Sequence, residues 1–180
     1  MLRTLKPFIP TKQLGDIGSS LINSTISYGA PVWGMTSKAN LDRIQKCQTK
    51  AARMITRKGW EKGKVKDHRQ DVLDGLGWQN VQQLVSTSIL NLTKNALDGT
   101  SSKGLNYMFS VTQHTNPRLA YAPRIAHHGK ITATNKIFEV HAPTLYNNLP
   151  PQLRCTDIAK NRFKREVRTY IATKWLLPKH

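Results

Sequence analysis

A mainly α-helical fold is what this sequence predicts, with a helical bundle-like region over 1–109 and, over 110–180, an irregular Pro-rich segment with short strands and a closing basic helix. Three observations carry the prediction. Apolar residues recur three and four apart in blocks separated by Gly and Pro, the period of helices with one buried face. Five of the nine prolines, Pro117, Pro123, Pro143, Pro150 and Pro151, fall between 110 and 157, where they break regular structure into short extended runs. The helical period then returns in Phe163, Val167, Tyr170 and Ile171, predicting a last helix over 158–177.

In chain order, Leu14, Ile17, Leu21 and Ile22 open the first helical block and Ile26 and Tyr28 extend it. Gly29 and Pro31 are its stop residues. Val32 and Trp33 are then expected to pack back on the helix just ended, with Trp33 as a core residue that fixes the corner. The second block opens at Ser37 as N-cap. Leu41, Ile44, Cys47, Ala51, Met54 and Ile55 make its apolar stripe. On the far side Arg43, Lys46, Lys50, Arg53 and Arg57 stand three, four, three and four apart, so they stack as one cationic ridge. The basic character continues through Lys58, Lys62, Lys64, Lys66 and Arg69, which surround Trp60 in a Gly-broken loop suited to tracking a phosphate backbone with one ring for stacking. From Val72 to Phe109 the charges thin to Asp74, Lys94, Asp98 and Lys103, and a core-building helix is expected from Gln79 to about Leu97, stopped near Gly99. In the last helix Arg162, Lys164, Arg165 and Arg168 enrich the sides that face away from the apolar stripe.

Charge narrows the function. The chain holds 28 Lys and Arg against 10 Asp and Glu, a net +18, which attracts polyanions at long range and makes nucleic acid the first expected partner. An anionic membrane is the rival, but no run approaches the ~18 apolar residues of a spanning helix, so no membrane partner is expected. Cys47 and Cys155 lie far apart without a secretion signal and read as free thiols of an intracellular protein, nuclear or cytoplasmic. The segment up to Asp16 is basic and free of acids, which leaves a mitochondrial location as a minor alternative.

Candidate chemistry is sparse. Two cysteines cannot build a zinc knuckle, and adjacent His127 and His128 point apart on any regular element. Asp67, Asp71 and Asp74 can share a helix face, but among so many cations they read as paired or solvated rather than as ligands of a hard cation. No Ser-His-Asp, Cys-His or paired-carboxylate arrangement is supported by spacing, and neither a metal nor another cofactor is expected.

Two stretches resemble a known family. Tyr28, Gly29, Val32, Trp33 and Gly34, followed by Leu41, Ile44, Gln45, Gln48, Ala51, Arg53, Ile55 and Thr56, match a Tyr-Gly-x-x-Val-Trp-Gly stretch and the helix after it. Farther on, Phe138, Ala142, Pro143, Leu145, Tyr146, Asn147, Leu149 and Pro150, and then Phe163 and Lys164, match a second pattern. Both, in this order, are similar to the region after the polymerase palm in LINE-type, jockey-like non-LTR retrotransposon reverse transcriptases. The same pattern takes in Met1 to Lys12, which argues against a cleaved presequence.

The resemblance implies a thumb-like region over 1–109 and the C-terminal segment of such a polyprotein over 110–180, with fingers, palm and endonuclease upstream of Met1. Reverse transcription in that family uses an adjacent Asp pair to hold two divalent ions, and no two acidic residues are adjacent in this sequence. The expected role is therefore non-catalytic on its own: gripping RNA or an RNA–DNA hybrid by its backbone through the Arg43–Arg57 ridge, the Lys58–Lys66 loop and the last helix. Tyr28, Gly29, Pro31 and Trp33 would orient the ridge helix. An upstream polymerase polypeptide or ribonucleoprotein subunits are further expected partners. Two alternatives stand beside this one, a domesticated remnant that serves as a structural RNA-binding subunit of a ribonucleoprotein, and an inert truncated gene product.

Overall fold

Thr11 to Ser27 winds as one continuous helical stretch with a change of pitch in its middle: α1 (Thr11–Gly18), a π-helical turn (Ser19–Asn23) and α2 (Ser24–Ser27). The wider turn separates the inward positions Gly18 and Asn23 by five residues rather than four, so the buried side reads Leu14, Gly18, Asn23, Ile26. This corrects the expected apolar stripe, since Leu21 is left 44% exposed and Tyr28 86% exposed. At Gly29 the backbone enters the left-handed region at φ +65°, a conformation that glycine adopts without a Cβ clash, and the helix stops there.

The computed structural model describes residues 7–56, 69–112, 122–126 and 138–173. Pro31, expected as part of the stop, lies instead in a further short helix, α3 (Ala30–Trp33). It sits in that helix's first turn, where a missing N–H leaves no intrahelical bond unmade. Val32 is 85% exposed, so the expected packing of both Val32 and Trp33 fails for Val32, while Trp33 is half-buried. Gly34 closes the turn with its N–H on the Ala30 carbonyl, and a Cβ there would run into Val85 and that same carbonyl.

Downstream come α4 (Lys38–Thr56), α5 (Arg69–Asp74), α6 (Val81–Leu97) and α7 (Lys103–Asn106). Ser37 lies before α4 as expected, its hydroxyl 3.4 Å from the Asn40 N–H. Asn80 and Gln83 cap α6 reciprocally: each side-chain oxygen accepts the other's backbone N–H at 2.9 Å. The helix ends where expected, with Gly99 at φ +69° and the Thr100 N–H on the Asn95 carbonyl at 2.9 Å.

The described parts of 110–157 are less irregular than the prolines suggest. Strands β1 (Val111–Thr112) and β2 (Arg124–Ile125) pair antiparallel with Val111 opposite Ile125. Then come α8 (Phe138–Asn147), which carries Pro143 inside it, and α9 (Pro151–Arg154), with its proline at the tolerated start. Pro143 costs α8 one backbone hydrogen bond, and burial of Ala142, Leu145 and Tyr146 offsets it. The last helix is α10 (Lys160–Thr173), with Phe163, Val167 and Ile171 buried as expected and Tyr170 half-buried.

Contacts gather the chain into two compact units, Met1–Gly29 with Thr36–Leu84, and Ala30–Met35 with Val85–His180. In the first, α1, α4 and α5 close on a core of Leu14, Ala52, Ile55, Val72, Leu73 and Trp78, flanked by Ile9, Ile22 and Leu76. In the second, α8 lies against β2 and α9 against α10. Its buried residues include Ile89, Leu90, Phe109, Ile125, Leu145, Tyr146, Leu149 and Leu153, and the Phe109 and Phe138 rings meet edge to face at 5.6 Å.

Candidate nucleic-acid interface

The side of α4 turned to solvent carries Arg43, Lys46 and Lys50 fully outward, with Arg53 half-buried at the end of the same row. Ten residues at 1.5 Å per residue give the row a length of about 15 Å. Among the described residues, Arg43, Lys46 and Lys50 make no ion pair, so their charge faces solvent undiminished by a carboxylate partner. Arg57, Lys58, Trp60, Lys62, Lys64 and Lys66 lie outside the described residues.

What holds the row outward is the opposite side of α4, which keeps Ala51 and Ile55 of the expected stripe buried but not its other members. Gln48, Thr49, Ala51, Ala52 and Ile55 are buried, while Cys47 is exposed, Met54 is 36% exposed, and Leu41 and Ile44 are half-buried. The inward face is thus rotated from the Cys47–Met54 line toward Gln45, Gln48, Ala52 and Ile55. The reason is a polar network that a stripe of apolar letters does not show. Gln48, with no exposed surface, donates its amide to Asn23 Oδ1 at 2.9 Å and to the Gln79 carbonyl at 2.8 Å. Gln45 donates to Gln48 Oε1 at 2.9 Å and accepts the Val81 N–H at 2.8 Å. Asn23 in turn donates to Ser19 Oγ at 3.1 Å. Once satisfied, these buried amides fix a single register for α4 against the π turn and the start of α6. The signal was present in the sequence: Gln45 and Gln48 both belong to the quoted helix motif.

Four more cations were expected on α10. Lys164, Arg165 and Arg168 are exposed there. Arg162 is engaged by Glu166, its Nε 2.7 Å from the carboxylate, and that hydrogen bond with the carboxylate's charge raises the guanidinium pKa further. Among the described residues, the expected site therefore falls on one helix in each unit.

The second motif resolves into a structural hub. The Asn147 side chain treats β2 as a neighbouring strand would, accepting the Ile125 N–H at 2.9 Å and donating to the Ile125 carbonyl at 2.8 Å. Arg154, 3% exposed, donates to the carbonyls of Leu149 at 3.1 Å, Ala122 at 3.2 Å and Pro123 at 3.3 Å. Tyr146 donates its hydroxyl to the Arg154 carbonyl at 3.2 Å, and burial pushes its pKa up to about 12, against a lowering by the Arg154 charge. Asn147 belonged to the motif without a predicted role, and Arg154 was not singled out at all.

Asp71 and Asp74 are exposed on α5, where Asp74 accepts from Gln70 at 2.8 Å, and Asp67 lies outside the described residues. Among the described residues no three His, Cys, Asp or Glu side chains are grouped to hold a metal ion, and no helix is long and apolar enough to cross a membrane. Cys47 and Cys155 are free thiols. No family model, curated protein or solved structure matches the chain.

Proposed function

We propose that this chain is a nucleic-acid-binding fragment, the thumb and C-terminal region of a LINE-type retrotransposon reverse transcriptase, which grips RNA or an RNA–DNA hybrid by its backbone. The observation that carries this reading is the outward row of Arg43, Lys46, Lys50 and Arg53 on a helix whose other side is locked by buried amides. Cations held on a stiff element meet phosphates with little further ordering of the backbone beneath them. A row of about 15 Å spans several successive phosphates of one duplex strand. The wide, shallow minor groove of an A-like duplex admits a helix along its edge, so recognition proceeds by shape and charge rather than by base edges.

Catalysis is no part of this role. Phosphoryl transfer by two divalent ions needs carboxylates that converge on both, and the adjacent Asp pair that serves this in the resembled family has no counterpart in the sequence. The grip would serve a polymerase polypeptide or a ribonucleoprotein that supplies the chemistry.

Fluorescence anisotropy of labelled RNA–DNA hybrid, single-stranded RNA and duplex DNA across a salt series tests the reading. Tighter binding of the hybrid, with a steep loss as salt rises, is the expected result, because the slope counts released counterions. Weak binding, equal for all three probes and lost at physiological salt, would overturn it.

A further inference from the structure

The last helix offers a surface that the grip through α4 does not use. Phe163, Val167 and Ile171, four apart, point α10 inward. Lys160, Lys164 and Arg168, also four apart, are all exposed, and Arg165 is exposed beside them. Eight residues at 1.5 Å per residue give this row about 12 Å, close to the length of the α4 row. Glu166 is the single carboxylate of α10, and Arg162 holds it at 2.7 Å. That pairing occupies the one acid that α10 itself carries. Among the described residues, Lys160, Lys164 and Arg165 make no ion pair.

The platform beneath the row is stiff. α10 lies against α9, where Arg154 ties the Leu149, Ala122 and Pro123 carbonyls together. Tyr170 adds its hydroxyl on the Asn148 carbonyl at 3.4 Å. A cationic row on an anchored helix is the same physical device as the one on α4, and it stands in the other compact unit.

We infer that Lys160, Lys164, Arg165 and Arg168 form a second, independent phosphodiester-binding surface, so that one chain holds two nucleic-acid segments. The inference rests on the proposed function for its choice of ligand, but not on the α4 row. A duplex just long enough for one row counts the rows separately, whereas a longer one, or a folded RNA, has phosphates to spare for a second contact. Where linkage allows both rows to engage one molecule, the second contact is intramolecular and affinity rises by more than either row provides.

The test counts binding sites with a labelled RNA–DNA hybrid of about eight base pairs, long enough for one row of about 15 Å. Titrations are run at low salt on the full chain and on three triple variants. K160Q/K164Q/R165Q removes the α10 charges, R43Q/K46Q/K50Q removes those of α4, and K12Q/K38Q/K103Q removes three exposed lysines that belong to neither row. All the substituted residues are exposed, and thermal melting of each variant checks that the fold survives.

The wild-type chain and the scattered-lysine variant should each take up two probes, and the α10 variant one. With a hybrid of about thirty base pairs, the α10 variant should lose about tenfold in affinity, and its salt slope should fall by roughly two to three, at ~0.7–0.9 per phosphate contact. A wild-type chain saturated by one short probe would overturn the inference if the α10 variant still takes that probe up. So would an α10 variant that matches the scattered-lysine variant, or one that loses binding only to phosphatidylserine vesicles. If the α4 variant keeps both probes while the α10 variant loses one, the α4 grip fails and the α10 surface stands.

Discussion

Gln45 holds the Val81 N–H at 2.8 Å, so the helix that carries the cationic row also caps the first amide of α6. Together with Gln48 on Asn23 and on the Gln79 carbonyl, this makes a buried amide network the hinge on which α4 is oriented.

Replacing Gln48 should expose how much that network contributes. Q48L keeps the volume but removes the donor to Asn23 Oδ1 and to the Gln79 carbonyl and one of the two acceptors of the Gln45 amide, which keeps Thr49 Oγ1 at 3.3 Å. The expected loss is about 2–3 kcal/mol of unfolding free energy, since a buried polar group without a partner costs roughly 1–3 kcal/mol. Urea denaturation followed by circular dichroism measures it, and a loss under about 0.5 kcal/mol, the range of ordinary surface substitutions, would show that the network carries no weight.

On the outward side the expectation is reversed. R43Q/K46Q/K50Q alters exposed groups without ion pairs, so the melting midpoint should stay near wild type. Affinity for the hybrid should fall at least tenfold, with a salt slope reduced by about two to three. Unchanged affinity would remove α4 from the interface.

Tyr146 sets an alkaline limit. Its pKa is about 12 in the folded chain against an ordinary 10, so folding favours the protonated phenol. That contribution, roughly 2–3 kcal/mol at ~1.4 kcal/mol per unit, is complete below pH 10 and is lost as pH rises from about 10 through about 12. In Y146F the stability profile should be flatter across that window, at a cost near neutrality of about 1 kcal/mol for the lost bond to the Arg154 carbonyl. Denaturant midpoints at a series of pH values decide this, and parallel profiles for the two proteins would refute it.

Arg154 should tolerate no substitute. R154M removes the donors of three backbone carbonyls from a buried site, which should cost about 3 kcal/mol or more. R154K keeps the charge but lacks the planar fork that reaches several acceptors at once, so it should recover only part of the loss. A lysine variant as stable as wild type would show that charge, not geometry, is what the site requires.

Much of this chain is determined by its sequence alone. The 3.6-residue period placed α4, α6 and α10, Gly29 and Gly99 placed the stops, and the three-and-four spacing from Arg43 to Arg53 put those cations on one side of α4. Such features are local, because they depend on residues within a turn or two of each other. Tertiary structure decided which side of α4 is buried, because Cys47 and Met54 compete with Gln45 and Gln48 for the interior. The amides win only when Asn23, Gln79 and Val81 arrive from distant parts of the chain to satisfy them. It likewise turned Pro143 from a breaker into a helix interior, through the burial of Leu145 and Tyr146, and made Arg154 a buried clamp. A buried polar side chain is stable only with its partners in place, and partners distant in sequence are supplied by the fold.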